Sequence, residues 1–317
     1  MSVEKQINTI PDELAGLRLD QALARIFPEY SRNRLKDWLL TGAITVQGGP
    51  KRPRDRVFGG EIVELVEQVG PSVRAEAEPI MLDIVHEDDQ LLVVNKAAGL
   101  VVHPGAGNPA GTLMNGLLHQ CPALEEIPRA GIIHRLDKDT SGLLVVAKTL
   151  TTHTALLRLL EDRKISRHYL ALCKGVLTGG GSISEPISRH PIDRKRMSVQ
   201  QNGKPSVTHF TVKERFEAFT FVNVKLETGR THQIRVHFAY RRHALVGDQI
   251  YGGRLALPKG ASEEMIQVLR HFKRQALHAA RLAFIHPTTE KLVDLEIPPP
   301  KDFMMLVDVM RRDAAGD

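Results

Sequence analysis

Apolar positions follow two different rhythms along this chain. Leu19, Leu23, Ile26 and Phe27 recur at three- and four-residue spacing, and Leu35, Trp38 and Leu39 do so again, which predicts two short amphipathic helices. Ser31 precedes the second as its expected N-cap, and Gly42 closes it. Ala43 to Val46 and Ile62 to Val66 then form short strand-type runs on either side of a basic turn containing Lys51, Arg52, Arg54 and Arg56.

Residues 70–79 include Gly70, Pro71 and Pro79 and lack apolar periodicity, so a linker is expected there. Strand-like runs dominate beyond it: Leu91 to Val94, Leu143 to Ala147, Tyr169 to Cys173, and the alternation of Val222, Val224 and Leu226. Helices are expected around 112–119, 152–162, 231–240 and 262–273, with 311–317 as a polar, frayed tail. There is no regular βαβ alternation and no internal repeat, so the fold class is α+β. The expected organisation is a small unit at 1–69, a linker at 70–79 and a larger unit at 80–317.

A chain of 317 residues can bury a large core and still hold a second, small domain. Its net charge of +6 is compatible with an acidic partner such as RNA without requiring one. Cys121 and Cys173 are far apart and no Cys-x-x-Cys occurs, which argues against both a disulfide framework and a thiolate metal site. His-Glu-x-x-His is absent too, so no metal is expected. The N-terminus carries Asp12 and Glu13 without a signal-like apolar core, and no run approaches the ~20 apolar residues of a membrane span. A soluble cytoplasmic protein with no membrane partner is the expectation.

The densest chemistry lies in His134-Arg135-Leu136-Asp137-Lys138-Asp139-Thr140-Ser141-Gly142, between Gly131-Ile132-Ile133 and the run from Leu143 to Ala147. A loop joining two buried strands is predicted, and loops held by a rigid scaffold are where catalytic groups usually sit. Two other chemistries fit poorly. A phosphatase-type Asp-x-Asp-x-Thr would need its threonine one residue after Thr140, and Ser141-Gly142 lacks the preceding Gly-x of a nucleophile elbow.

The same nine residues resemble motif II of the RluA-type pseudouridine synthases. Further matches follow in order. Ile165 to Ala171 resembles that family's tyrosine strand, with Arg167 where many members carry lysine, and Leu226 to His237 resembles its arginine motif. Asn95-Lys96-Ala97-Ala98-Gly99 resembles the Asn-Lys-Pro motif with Ala97 in place of proline, and Leu277-His278-Ala279 and His286-Pro287 resemble the C-terminal elements. Residues 16–66 are similar to the S4 RNA-binding domain. The resemblance covers nearly the whole chain and is closest to a branch acting on large-subunit ribosomal RNA.

It implies a central, mostly antiparallel sheet with a cleft along its middle, and conversion of uridine to pseudouridine. That reaction breaks an N-glycosidic bond and joins C5 to C1′ without net redox change. A carboxylate can serve as nucleophile or charge stabiliser with no cofactor. By resemblance that group is Asp137, with its first attack at C1′ or C6 left open. A carboxylate withdrawn from water needs a cation or donors beside it, and the resemblance assigns Arg235 to Asp137. Arg230 is the second candidate for the pairing and also for an RNA phosphate.

Tyr169 offers a ring to stack on a base and an exchangeable proton. Arg135 is suited to fill the gap left by an everted base or to contact its phosphate, while His134 orders the loop. Arg32, Arg34 and Lys36 are expected on phosphates. Arg189, His190, Arg194, Lys195 and Arg196 make the 188–196 loop a clamp for an RNA backbone. The implied partner is 23S ribosomal RNA, by analogy its helix 69 stem-loop, approached by a monomer. Another ribosomal or transfer RNA loop stays open as target, as does a non-catalytic RNA-binding protein of the same fold, which an assay for pseudouridine formation would separate.

Overall fold

The computed structural model describes residues 5–28, 30, 32–66, 75–105, 107–193, 195–255 and 257–315. The expected N-cap Ser31, residues 70–74 of the expected linker, Arg194 and the side chain of Arg34 lie outside the described residues. The chain divides into two units, Met1–Arg74 and Ala75–Asp317.

In the first unit, strand β1 (Lys5–Thr9), helices α1 (Leu19–Ile26) and α2 (Arg32–Thr41), and strands β2 (Ile44–Val46) and β3 (Ile62–Val66) follow in order. The helical stripes read from the sequence form the core: Leu19, Leu23, Phe27, Leu35, Trp38 and Leu39 pack with Ile44, Val46, Val63 and Leu65. Strand β1 carries no apolar stripe, its Ile7 being exposed. It is held by antiparallel pairing to β3, in the sheet order β1-β3-β2. Gly42 ends α2 at a φ of +78°, a left-handed conformation that glycine adopts without steric cost.

The second unit contains β4 (Ile84–Glu87), β5 (Leu91–Lys96), α3 (Leu113–Gln120), β6 (Ser141–Ala147), α4 (Leu150–Glu161), β7 (Ser166–Lys174), β8 (Gly181–Ser184), β9 (Ile187–Arg189) and β10 (Met197–Val199). These are followed by β11 (Val207–Arg215), β12 (Phe219–Leu226), α5 (Gln233–Tyr240), α6 (Glu263–His271), β13 (Leu277–Ile285), β14 (Leu292–Glu296) and α7 (Lys301–Ala315). Nine strands form one sheet in the order β4-β5-β6-β13-β7-β12-β11-β8, with β14 beside β13. Every pairing in it is antiparallel except β6 with β13. The hairpin β9–β10 stands apart from this sheet.

The unbroken apolar runs of β5 and β6 have a simple cause. Leu92, Val94, Leu144 and Val146 face one core with Leu113 and Leu117 of α3, whereas Leu91, Val93, Leu143 and Val145 face another with Leu156 of α4. Because successive side chains point to opposite faces, a strand covered on both sides must be apolar throughout.

Two expectations need correction. Gly131-Ile132-Ile133 is not a strand: it leaves a 3-10 turn, Pro128–Gly131, whose Arg129 and Ala130 are left-handed, and makes one isolated bridge between Ile132 and Val146. Three apolar residues directly after a left-handed turn are too few to extend a ladder. The supposed frayed tail is helical as far as Ala315. Phe303, Leu306, Val307 and Met310 recur at helical spacing and are buried, while Arg311 pairs with Glu214 and Arg312 with Glu264. Residues 75–79 of the expected linker are tied to the second unit, where Asn115 Nδ2 donates to Glu76 O and Gly111 N–H to the Glu78 carboxylate. Among the described residues no helix is long and apolar enough to cross a membrane.

The polar loop 134–140 feeds β6, next to β13 and one strand from β7, at the middle of the large sheet. The parallel pairing of Ser141 and Gly142 with His278 and Ala279 fixes its exit. Gly142 has a φ of +116°, and a Cβ there would sit 2.3 Å from Ala279 O. Gly142→Ala is therefore predicted to cost about 2–4 kcal/mol of stability, read as a lowered denaturant midpoint; an unchanged midpoint would show that the junction tolerates a side chain.

Candidate active site

The loop that carries Asp137 is clamped through its backbone. Thr140 N–H donates to Asp137 O, Gly99 N–H to Lys138 O, and Gln275 Nε2 to Thr140 Oγ1 at 2.9 Å. Lys96, buried at the end of β5, donates from Nζ to the carbonyls of Ala97, Leu100 and Lys138, each at 2.8 Å. Burial pulls this amine down to about 7, against the attraction of Asp139 and Asp137. Three acceptors match the three protons of an ammonium, so the lysine stitches the Asn-Lys segment to the aspartate loop.

Asp137 Oδ2 accepts a hydrogen bond from Arg235 Nη1 at 2.9 Å. Arg235 lies in the first turn of α5, and its remaining edge meets Asp248 through Nε and Nη2 at 2.7 and 2.9 Å. Asp248 Oδ1 also receives the N–H groups of Ile250 and Tyr251. Side-chain exposure falls from 15% at Asp137 to 5% at Arg235 and 0% at Asp248, so the bridge runs inward from the surface. Burial alone would lower the pKa of Arg235, but the Asp248 hydrogen bonds and the Asp137 charge carry it above its usual value. Burial likewise opposes the charge on Asp248, yet the Arg235 and backbone hydrogen bonds hold its carboxyl below the usual range. The arginine is a permanent cation in a fixed orientation.

Around this bridge stand two further rings. His232 precedes α5 with left-handed backbone angles, φ 57° and ψ 20°. Its Nδ1 lies 2.8 Å from the Tyr251 hydroxyl and its Nε2 lies 3.8 Å from Asp137 Oδ1. Arg235 packs over the Tyr251 ring at 5.1 Å from its centroid. Tyr169, on β7, is buried among the core residues of the sheet. Burial raises its phenol, Arg167 opposes the rise and the nearby Asp137 charge adds to it, so Tyr169 keeps its proton at neutral pH.

The remaining residues singled out in the sequence divide clearly. His134 is neutral, pushed down to about 3 by burial and by the Arg167 charge, and its Nε2 receives a long hydrogen bond from Val145 N–H at 3.5 Å. Arg135 is exposed, with no ion-pair partner among the described residues. Arg230 is not paired with Asp137; it is exposed and its Nε donates to Pro205 O at 3.4 Å. In the first unit, Arg32 makes an intramolecular ion pair with Asp20 at 3.0 Å, beside Arg18 on the same carboxylate, whereas Lys36 is exposed. No group of three or more His, Cys, Asp or Glu able to hold a metal occurs among the described residues.

Asp248, His232 and Tyr251 were not singled out by sequence reasoning. The available signal was an acid directly after the apolar pair Leu245-Val246 and Gly247, three residues before Tyr251-Gly252.

Residues 90–240 match the family model described as RNA pseudouridylate synthase. The chain is 52% identical over 309 residues to the ribosomal large subunit pseudouridine synthase D of Xylella fastidiosa, covering 97% of this chain and 93% of that protein. The protein of the same name from Salmonella typhimurium is 52% identical over 96% of this chain and 94% of its own length. Among solved structures, human RNA pseudouridylate synthase domain containing 1 superposes with a TM-score of 0.54 at 28% identity, over 73% of this chain and 86% of that one.

Lys96→Met is predicted to remove the donor from the carbonyls of Ala97 and Leu100, leaving Lys138 O only the Gly99 N–H, and to destabilise the protein by about 2–4 kcal/mol, measured by chemical denaturation at neutral pH. Stability equal to that of the wild type would mean that the loop is held without the ammonium.

Proposed function

We propose, because the chain belongs to the RluA family of pseudouridine synthases, that it isomerises uridines of large-subunit ribosomal RNA to pseudouridine with Asp137 as the reacting group. The observation that supports this most strongly is the bridge from Asp137 Oδ2 to Arg235, locked from behind by Asp248. One carboxylate oxygen is committed to the guanidinium. Among the described residues Oδ1 has no hydrogen bond, and it is the oxygen available to engage the nucleoside.

The chemistry follows from that division. The N1–C1′ bond breaks, the uracil turns, C5 bonds to C1′, and the C5 proton is lost while N1 gains one. A held carboxylate stabilises the electron-poor sugar or traps it covalently, and the fixed arginine keeps the negative charge in place through both stages. Tyr169, protonated on β7, supplies a flat ring and a hydroxyl for the everted base. Exposed Arg135 and Arg230 and the cations of the 188–196 loop bind phosphates, which positions the RNA without reading its sequence. Arg32 is half committed to Asp20, so Lys36 is the more available cation on α2.

The finer reading is a monomer acting in the cytoplasm on the helix 69 stem-loop of 23S RNA. The relatives named for the large subunit support its ribosomal part. Mapping pseudouridines in ribosomal RNA from cells lacking the protein tests the target, the expected result being loss confined to that loop.

Asp137→Asn keeps the size and shape of the side chain, so folding and RNA affinity should persist while tritium release from 5-tritiated uridine in RNA falls at least about a thousandfold. Release at the wild-type rate would remove Asp137 from its role.

A further inference from the structure

Among the described residues the Asp137 carboxylate is held by one hydrogen bond, from Arg235 Nη1 to Oδ2. A single donor on one oxygen leaves the carboxylate able to turn about its Cβ–Cγ bond, whereas reaction through Oδ1 requires that oxygen to stay aimed. A group close to Oδ1 with a proton to offer is His232, whose Nε2 lies 3.8 Å away. That is too long for a hydrogen bond, and catalytic hydrogen bonds are often loose before substrate is bound.

The ring's surroundings determine where its proton sits. Met197 N–H, on β10, donates to the Tyr251 hydroxyl at 2.8 Å, and the same hydroxyl lies 2.8 Å from His232 Nδ1. The backbone N–H occupies one lone pair of the phenol oxygen, and the phenol's own proton can be given to Nδ1. Nδ1 is then an acceptor, and the proton of the neutral imidazole is on Nε2, the nitrogen facing Asp137. Burial lowers the imidazole's pKa, with Asp137 and Asp248 opposing and Arg235 and Arg135 assisting the fall, so neutrality is the resting condition. The left-handed backbone at His232 is a second mark of constraint, because a non-glycine residue in that region persists only where its surroundings over-determine it.

We propose that His232 is a positioning residue for the isomerisation, donating Nε2–H to Asp137 Oδ1 in the substrate complex, and that Tyr251 sets the tautomer that makes the donation available. This rests on the reading of Asp137 given above. An oxygen with two lone pairs can accept from His232 through one and react through the other. The arrangement also reaches outward. Met197 follows the basic loop, and the Arg196 guanidinium lies over the Tyr251 ring at 5.4 Å from its centroid.

The test uses the full-length protein. Nitrogen-15 NMR of the histidine rings should report His232 with protonated Nε2 and bare Nδ1 in the wild type, and a mixture of tautomers in Tyr251→Phe; a proton on Nδ1 in the wild type overturns the proposal whatever the activity. In single-turnover tritium release, His232→Ala should lose about tenfold to a hundredfold in rate constant at unchanged RNA affinity, and His232→Gln, whose amide restores a donor, should recover most of it. Asp137→Asn on the same RNA separates the two readings. A silent Asp137→Asn with a fully active His232→Ala sinks this proposal alone, whereas an active Asp137→Asn sinks the reading beneath it. If His232→Ala does not fold, Tyr251→Phe carries the kinetic arm, and a wild-type rate constant in it overturns the tautomer argument.

Discussion

One guanidinium between two carboxylates organises the second unit of this protein. Arg235 joins Asp137, 98 residues earlier in the chain, to Asp248, 13 residues later, and so ties the loop before β6 to the start of α5 and to the turn after it. Burying three charges is a poor way to gain stability, because desolvation roughly cancels the attraction and apolar residues of similar volume would usually do as well. A buried ionic bridge that emerges at a single partly exposed carboxylate is better explained by what the outer oxygen does. The bidentate clamp by Asp248 fixes the plane of the arginine, the arginine fixes one oxygen of Asp137, and the other oxygen is left for chemistry.

The rest of the fold supplies the rigidity this requires. Strands β6, β13 and β7 lie side by side at the middle of the sheet, with apolar side chains packed on both faces of β6, so the loop entering β6 leaves an immobile base. The loop cannot be apolar, and its polar groups must find partners; Lys96 and Gly99 serve its backbone and Gln275 the Thr140 hydroxyl. A buried lysine satisfying three carbonyls is to the loop backbone what Arg235 is to the Asp137 side chain.

Much of this could be read from the chain. The four helices expected in the large unit occur, since their apolar residues are spaced at a helical period against a sheet. The motifs point to Asp137, Tyr169 and Arg235, and Asp137 and Arg235 are in direct contact. What escaped has physical causes. Gly131 to Ile133 is apolar enough for a strand, but left-handed residues just before it turn the chain away. The last helix was hidden by its polar end, although Phe303, Leu306, Val307 and Met310 carried the period. The resemblance ranked Arg235 above Arg230 for the pairing, and the turn at His232 separates them, placing Arg230 on the surface and Arg235 on the buried side of α5. Asp248 and Tyr251 act through contacts across the fold, and an acid after Leu245-Val246-Gly247 does not by itself say which partner it meets.

The most direct measurement of the central claim is the single-turnover rate of Asp248→Asn, which removes the charge behind Arg235 without touching any group that meets RNA. If the clamp orients the arginine and the arginine orients Asp137, the rate constant falls by about tenfold to a hundredfold while RNA affinity and the folded circular-dichroism spectrum persist. A variant that binds and reacts like the wild type would contradict the account, showing that Asp137 needs no bridge to hold it.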